Sequence, residues 1–413
     1  MVNCVVGSGI FGMPALAAAM LGPAALLAYA VCGLLVGLVG LCFAEAGSRV
    51  HAPGGLYAYV ATAFGPMMGW IAGTLLWFAN GALSNAAVAS LLADTLARPI
   101  PILGDRFARA AFLVVLYSVL AVLNIRGVRV GVRLSESLTI AKLAPLVVLV
   151  LVGACLIDPE NLRWPAVPPL QLVAAASVLM FFAFMGVEAA LSTNGEVVNP
   201  ARTVPRALLL ALTLVVMLYM GLQTVAQGVL GPQLPDSKAP LVATASAVFG
   251  RWGERGMLVA IVLSTAGFFG ADILCTPRVL YALANDGQLP RGLAYVHPRF
   301  LTPATAIATY AAVCAALALS GTFRQLALVA SSGTLLLYLL SCLSLMRLRS
   351  RGVTTGAAVF VAPGGSLVPV LACGVIAWLL ASLQAVELFA TLGLVAVAAL
   401  VYVVRTARTT RRA

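Results

Sequence analysis

The chain has 413 residues, 62% of them apolar and only 9% charged, about a third of the charged fraction of an ordinary soluble domain. So few polar side chains cannot cover a water-facing surface, which excludes a soluble enzyme or a large globular module and makes the lipid bilayer the solvent. The net charge of +12 would suit a nucleic-acid binder if it formed a patch, but the basic residues lie in loops, so no nucleic-acid partner is expected.

Apolar runs broken by Gly, Pro and charge predict membrane-spanning helices at about 1–20, 24–46, 66–93, 108–124, 135–157 and 170–193, then at 206–230, 256–283, 304–320, 325–346, 367–385 and 387–404. That is an all-α integral membrane protein of about 12 transmembrane helices, in one polytopic domain over 1–413. The first run carries Gly and Pro in its middle and no basic start, so it does not read as a cleaved signal peptide. With both termini placed in the cytoplasm, the inner loops hold 16 of the basic residues and the outer loops 8, with Lys142 alone inside a span. This bias supports that orientation and explains the net charge as a topology signal.

The first span is interrupted by Gly7-Ser8-Gly9-Ile10-Phe11-Gly12 followed by Met13-Pro14, a concentration of helix breakers that predicts unwound backbone. The six residues fit GxGxxG, yet no strand precedes them, so dinucleotide binding is rejected. Free N–H groups at the start of the following half-helix would instead hold an anion such as a substrate carboxylate. In the third span Asn80 and Ser84 lie one turn apart and could line a cavity or simply bond between helices. In the fifth, Lys142 opens a long apolar run; a lysine shielded from water can load and release a proton, the alternative being snorkelling to the inner interface.

The sixth span holds a second interruption, Phe181-Phe182-Ala183-Phe184-Met185-Gly186-Val187-Glu188, where a glycine and a carboxyl group fall within an apolar run. Two broken helices, one opening each half, point to an inverted-repeat transporter with its site between the breaks. In the eighth span Asp272 is another deep acid. It could pair with a cationic substrate group, pair with Lys142, or carry a proton. The eight cysteines lie at least ten residues apart without a CxxC pair and read as packing residues; His51 and His297 lack metal-ligand spacing; and no GxxxxGK[ST] occurs. No cofactor, metal or enzymatic constellation is expected.

The stretches GSGIFGMPA from Gly7, LCFAEAGSRVHAPGGLYAYV from Leu41, NIRGVRVG from Asn124, FAFMGVEAALSTNGEVVNPARTVPRA from Phe182 and TPRVLYALANDGQLP from Thr276 together resemble the amino acid–polyamine–organocation superfamily of secondary transporters. The resemblance implies a 5+5 inverted repeat of the leucine-transporter-like fold with broken helices 1 and 6: a first repeat over 1–157, a second over 170–346, two additional helices over 367–404 and a basic tail over 405–413. It implies that backbone N–H groups of Gly7, Ser8, Gly9 and Ile10 take the substrate carboxylate, that carbonyls of Phe182, Ala183 and Phe184 take its ammonium, and that Phe182 closes over it. Asn80 and Asp272 join these as candidate substrate contacts, while Lys142 and Glu188 are the expected proton-coupling or gating residues. The segment from Glu196 to Arg202 reads as a structural clasp on the cytoplasmic face. Relatives usually carry a longer first half-helix than the six residues before this break, so a shortened one is expected here.

The resulting expectation is secondary active transport of an amino acid or related amine across the cell membrane by alternating access, with a proton as the coupling ion. Exchange of one amino acid or amine for another is the alternative. From another class, a sensor would need an added signalling domain and a channel would show pore-lining rings.

Overall fold

The computed structural model describes residues 5–7, 9–50, 55–127, 132–188, 200–354 and 360–410, with side chains omitted at 132–140, 200–205 and 408–410. Ser8, His51 and Glu196–Asn199 lie outside the described residues. The helices are α1 Met13–Leu21, α2 Leu26–Arg49, α3 Leu56–Phe64 and α4 Pro66–Leu96, then α5 Arg106–Ile125, α6 Val132–Gly153, α7 Leu170–Phe181 and α8 Pro200–Leu230. They continue with α9 Pro240–Asn285, α10 Ala304–Ser320, α11 Phe323–Ser350, α12 Leu367–Ala381 and α13 Ala385–Thr410. No strand occurs among the described residues, as hydrocarbon demands of a chain whose backbone groups must be satisfied locally.

Local chemistry sets the ends. Gly22 at φ 55 stops α1 and is followed by Pro23, and Gly65 at φ 93 separates α3 from Pro66, the first residue of α4. Asp105 caps α5 by accepting the N–H groups of Phe107 and Ala108, and Thr322 with Gln325 forms a capping box at the start of α11. Large apolar side chains such as Val115, Leu151, Leu210, Met217 and Val259 are exposed, whereas Asn85, Gln223, Ser331 and Thr334 are buried. That inverted pattern suits a lipid exterior.

By length and composition, seven helical segments among the described residues can cross a membrane, and four shorter apolar helices accompany them. Two features differ from the expected spans. α3 occupies a stretch read as loop, and the expected span at 256–283 is the distal part of α9, whose first ten residues form a separate limb bent at Gly250 (φ 62, ψ −148). Both extra helices are too short to register as spans.

The packing sorts the helices into two groups. α1, α2, α7 and α8 pack on one another, as do α4, α5, α9 and α10, with α6 lying between α8 and α9. Helices from both halves of the sequence therefore interleave. α11 joins the groups by packing on α2, α3, α4 and α7. A polar cluster also ties it to α2: the fully buried carboxylate of Glu45 receives Arg349 Nε at 2.8 Å and Nη2 at 2.5 Å, Arg49 Nε at 3.0 Å, and the Ala362 N–H at 2.8 Å. Both arginines were expected only as inner-loop charges. Elsewhere in the bundle Arg109 pairs with Asp94, and Arg98 lies 3.8 Å from Glu254.

Candidate functional site

Unwinding at the first break follows from its glycines and proline. Gly7 has no helical assignment, Gly9–Phe11 form a 3₁₀ turn, and α1 starts at Met13 with Pro14 in its first turn. Pro14 sits where an N–H would be unsatisfied anyway, so it fits the start of the half-helix. At the second break α7 ends at Phe181, Phe182–Phe184 form a 3₁₀ turn, Met185 is extended and Gly186 takes φ 108. A side chain at position 186 would strain that left-handed backbone, which is why a glycine stands there.

The two breaks touch. A Cβ built on Gly9 would lie 2.9 Å from Phe182 Cδ1 and 3.5 Å from Ala183 Cα, so the first break approaches the second as closely as a bare backbone allows. The Phe182 ring stands edge-on to Phe323 of α11, with centroids 5.7 Å apart, and Phe323 with Leu91 also closes over Gly12. Phe182, Ala183, Phe184 and Ile10 are all buried. The surroundings of the breaks are thus largely apolar and aromatic.

Polar groups of α6 and α8 anchor this contact. Lys142, 8% exposed, donates from Nζ to the Val6 carbonyl at 2.5 Å, so α6 holds the segment just before the first break. From α8, the Tyr219 hydroxyl lies 3.2 Å from the Val5 carbonyl and 3.0 Å from the Ala183 carbonyl, reaching both breaks at once. Tyr219 packs edge-on to Phe184 at 5.1 Å and to Tyr29 at 6.4 Å.

Glu188 begins the chain beyond the second break. Its carboxylate accepts the Gly186 N–H at 3.2 Å, the Asn80 amide at 3.0 Å and the Tyr338 hydroxyl. It therefore ties the end of the break to α4 and α11. Asn80 lies in the π-helical stretch Leu75–Leu83 of α4, a widened turn of the kind often found at functional sites. Ser84, which the spacing pairs with Asn80, points elsewhere and approaches the Ala79 carbonyl of its own helix at 3.5 Å. Tyr338→Phe removes one donor to the carboxylate; a hydrogen bond to a charged group contributes about 1.5–3 kcal/mol. Thermal unfolding in detergent is expected to shift down and transport to slow, with the protein still monodisperse on size-exclusion chromatography.

Asp272 is held by its own set of side chains. Its carboxylate accepts Asn85 Nδ2 at 2.6 Å, the Tyr310 hydroxyl at 2.6 Å and the Thr276 hydroxyl at 2.7 Å. Tyr117 in turn donates to Asn85 Oδ1 at 2.8 Å. These partners come from α4, α5, α9 and α10; all are neutral donors, and Lys142 is not among them.

The structure thus brings Gly7, Gly9, Ile10, Phe182, Ala183 and Phe184 to one place, sets Lys142 against the segment before the first break, and joins Asn80 to Glu188 behind the second. Sequence reasoning missed Tyr219, Tyr338, Phe323 and the partners of Asp272. The tyrosines left a usable signal: a tyrosine deep in an apolar run needs a hydrogen-bond partner for its hydroxyl.

The chain is similar in sequence to known proteins over most of its length. The amino acid permease family profile matches residues 1–404. The chain is 28% identical to the branched-chain amino acid permease BcaP of Lactococcus lactis, over 85% of this chain and 80% of that protein. It is 27% identical to the methylthioribose transporter of Bacillus subtilis, over 97% and 90%, and 28% identical to the serine/threonine exchanger SteT of the same organism, over 74% and 71%.

Proposed function

Because the chain belongs to the amino acid permease family of the amino acid–polyamine–organocation superfamily, whose members are membrane transporters and not enzymes, we propose that it carries a neutral amino acid into the cell by alternating access, driven by protons. The reading rests on the contact between the two breaks, where Gly9 meets Phe182 and Ala183. In this reading the protein crosses the plasma membrane 12 times with both termini in the cytoplasm. Residues 1–157 and 170–346 form the two halves of the inverted repeat.

The substrate carboxylate binds the backbone N–H groups from Gly7 through Ser8 and Gly9 to Ile10, where the start of α1 adds its positive dipole end. The ammonium takes the carbonyls of Phe182, Ala183 and Phe184, and Asn80 stands behind them through Glu188. Phe182 and Phe323 flank the side chain of the substrate, so apolar or small side chains suit the site better than charged ones. Relatives with branched-chain amino acids and with serine and threonine in their printed names fit that preference. Lys142 and Glu188 couple protonation to movement, because one holds the segment before the first break and the other the segment after the second.

Uptake into proteoliposomes separates the possibilities. Labelled neutral, acidic and basic amino acids and amines are offered with and without an imposed pH gradient, and with and without Na⁺. The expected result is accumulation of neutral amino acids only when the lumen is alkaline. No uptake of any compound would overturn the carrier reading, Na⁺-driven uptake indifferent to pH would remove the role of Lys142, and uptake only against preloaded substrate would make the protein an exchanger.

A further inference from the structure

Asp272 has a chemistry that substrate binding at the breaks does not use. A charged side chain among membrane helices is costly unless it is paired, yet the three groups bonded to this carboxylate are neutral donors. Asn85 and Tyr310 are fully buried and Tyr117 is 2% exposed, whereas Asp272 and Thr276 each keep a partly exposed face. The titratable groups facing the acid are Tyr117 from α5 and Tyr310 and Cys314 from α10. α4 contributes the neutral Asn85.

The network is built so that one member can reverse and the others cannot. Tyr117 donates to Asn85 Oδ1, which fixes the amide so that its N–H group points at Asp272. A metal cation at the carboxylate would face that fixed donor, which disfavours Na⁺ or K⁺. Thr276 is different, because a hydroxyl can exchange donor for acceptor, and a helical threonine that turns its side chain can bond the main-chain carbonyl one turn back. Two other threonines of α9 use that acceptor, Thr265 on Ile261 at 2.6 Å and Thr244 on Pro240 at 2.8 Å. When a proton binds Asp272 Oδ1, the new O–H can donate to the Thr276 oxygen while the threonine proton turns to the carbonyl. Both protonation states are then hydrogen-bonded, and Asn85 and Tyr310 stay on Oδ2.

We propose that Asp272 is a further proton-binding group of the transport cycle besides Lys142 and Glu188, held by Asn85 of α4, Thr276 of α9 and Tyr310 of α10. This rests on the proton-driven reading given above. The proton arrives from water on one side, forms the O–H bond at Oδ1 and leaves to water on the other, and the carboxylate is restored at the end of each cycle. The helix group that packs against the moving breaks thereby carries its own protonatable switch.

Asp272→Asn keeps the shape and acceptor oxygen and removes the titration. In proteoliposomes, gradient-driven accumulation by this variant is expected to fall to the level seen without a gradient, while counterflow of labelled against unlabelled amino acid, which needs no net proton movement, continues. Infrared difference spectra of the wild type taken across a pH step should contain the carbonyl stretch of a protonated carboxylic acid that is missing in Asp272→Asn and displaced in Tyr310→Phe. Wild-type accumulation that ignores the gradient overturns the proton-driven reading and this proposal together. Wild-type accumulation that follows the gradient, with Asp272→Asn accumulating equally well, overturns this proposal alone, as does a carboxylic acid band unchanged in both variants.

Discussion

Glu45→Ala is expected to lower the stability of the purified protein by on the order of 3–5 kcal/mol, the scale found when one partner of a buried ion pair is removed. The carboxylate is fully buried and receives two guanidinium groups and a backbone N–H. Without it Arg49 and Arg349, with side chains only 11% and 16% exposed, would lose the carboxylate they share, and the Ala362 N–H would lose its acceptor. The cost is therefore repulsion plus desolvation, and not merely two lost hydrogen bonds. Thermal unfolding followed by size-exclusion chromatography measures it. Glu45→Ala combined with Arg349→Ala should recover part of the loss, because one of the two charges is gone; a single variant as stable as wild type would mean that the cluster is a surface decoration. Since the cluster joins α2 to α11 and to the segment at 360–362, slower transport is expected alongside the lower melting temperature.

Gly9→Val should have the largest effect on transport itself. The first side-chain atom would already stand 2.9 Å from the Phe182 ring and 3.5 Å from Ala183 Cα, and valine adds two branches beyond it. Overpacking costs about 1–3 kcal/mol, which corresponds to roughly 5- to 150-fold in binding, and valine belongs at the upper end because it has few rotamers with which to evade. Gly9→Ala should lie lower on the same scale. A paired Phe182→Leu substitution should restore part of the uptake lost in Gly9→Ala, a coupling that a double-mutant cycle would detect. Uptake by Gly9→Val equal to wild type would show that the breaks do not meet during transport.

Much of the membrane architecture could be read from the chain, because each clue was local. Glycines and a proline between Gly7 and Pro14, and Gly186 beside Glu188, conflict with a continuous helix wherever they are placed, and the structure has both breaks where that conflict lies. Lys142 and Asp272 were visible as charges in apolar runs. Their partners were not, since Val6, Asn85 and Tyr310 are distant in the sequence and chemically ordinary. Glu45 and Arg349 are separated by 304 positions, and each sits near a helix end, where a charge needs no special explanation. The π-helical turn holding Asn80 has no sequence signature that distinguishes it from α-helix. α3 and the first limb of α9 escaped because each is an apolar stretch of nine or ten residues, too short to read as a span.

The reach of Tyr219 to both breaks has a consequence in simple counting. A phenol has one proton to give, and two carbonyls, Val5 and Ala183, lie within its range. Whichever oxygen receives it, the other must do without that donor. The breaks are thus rivals for a single hydrogen bond, and a positive charge arriving between them would end the rivalry by serving the loser.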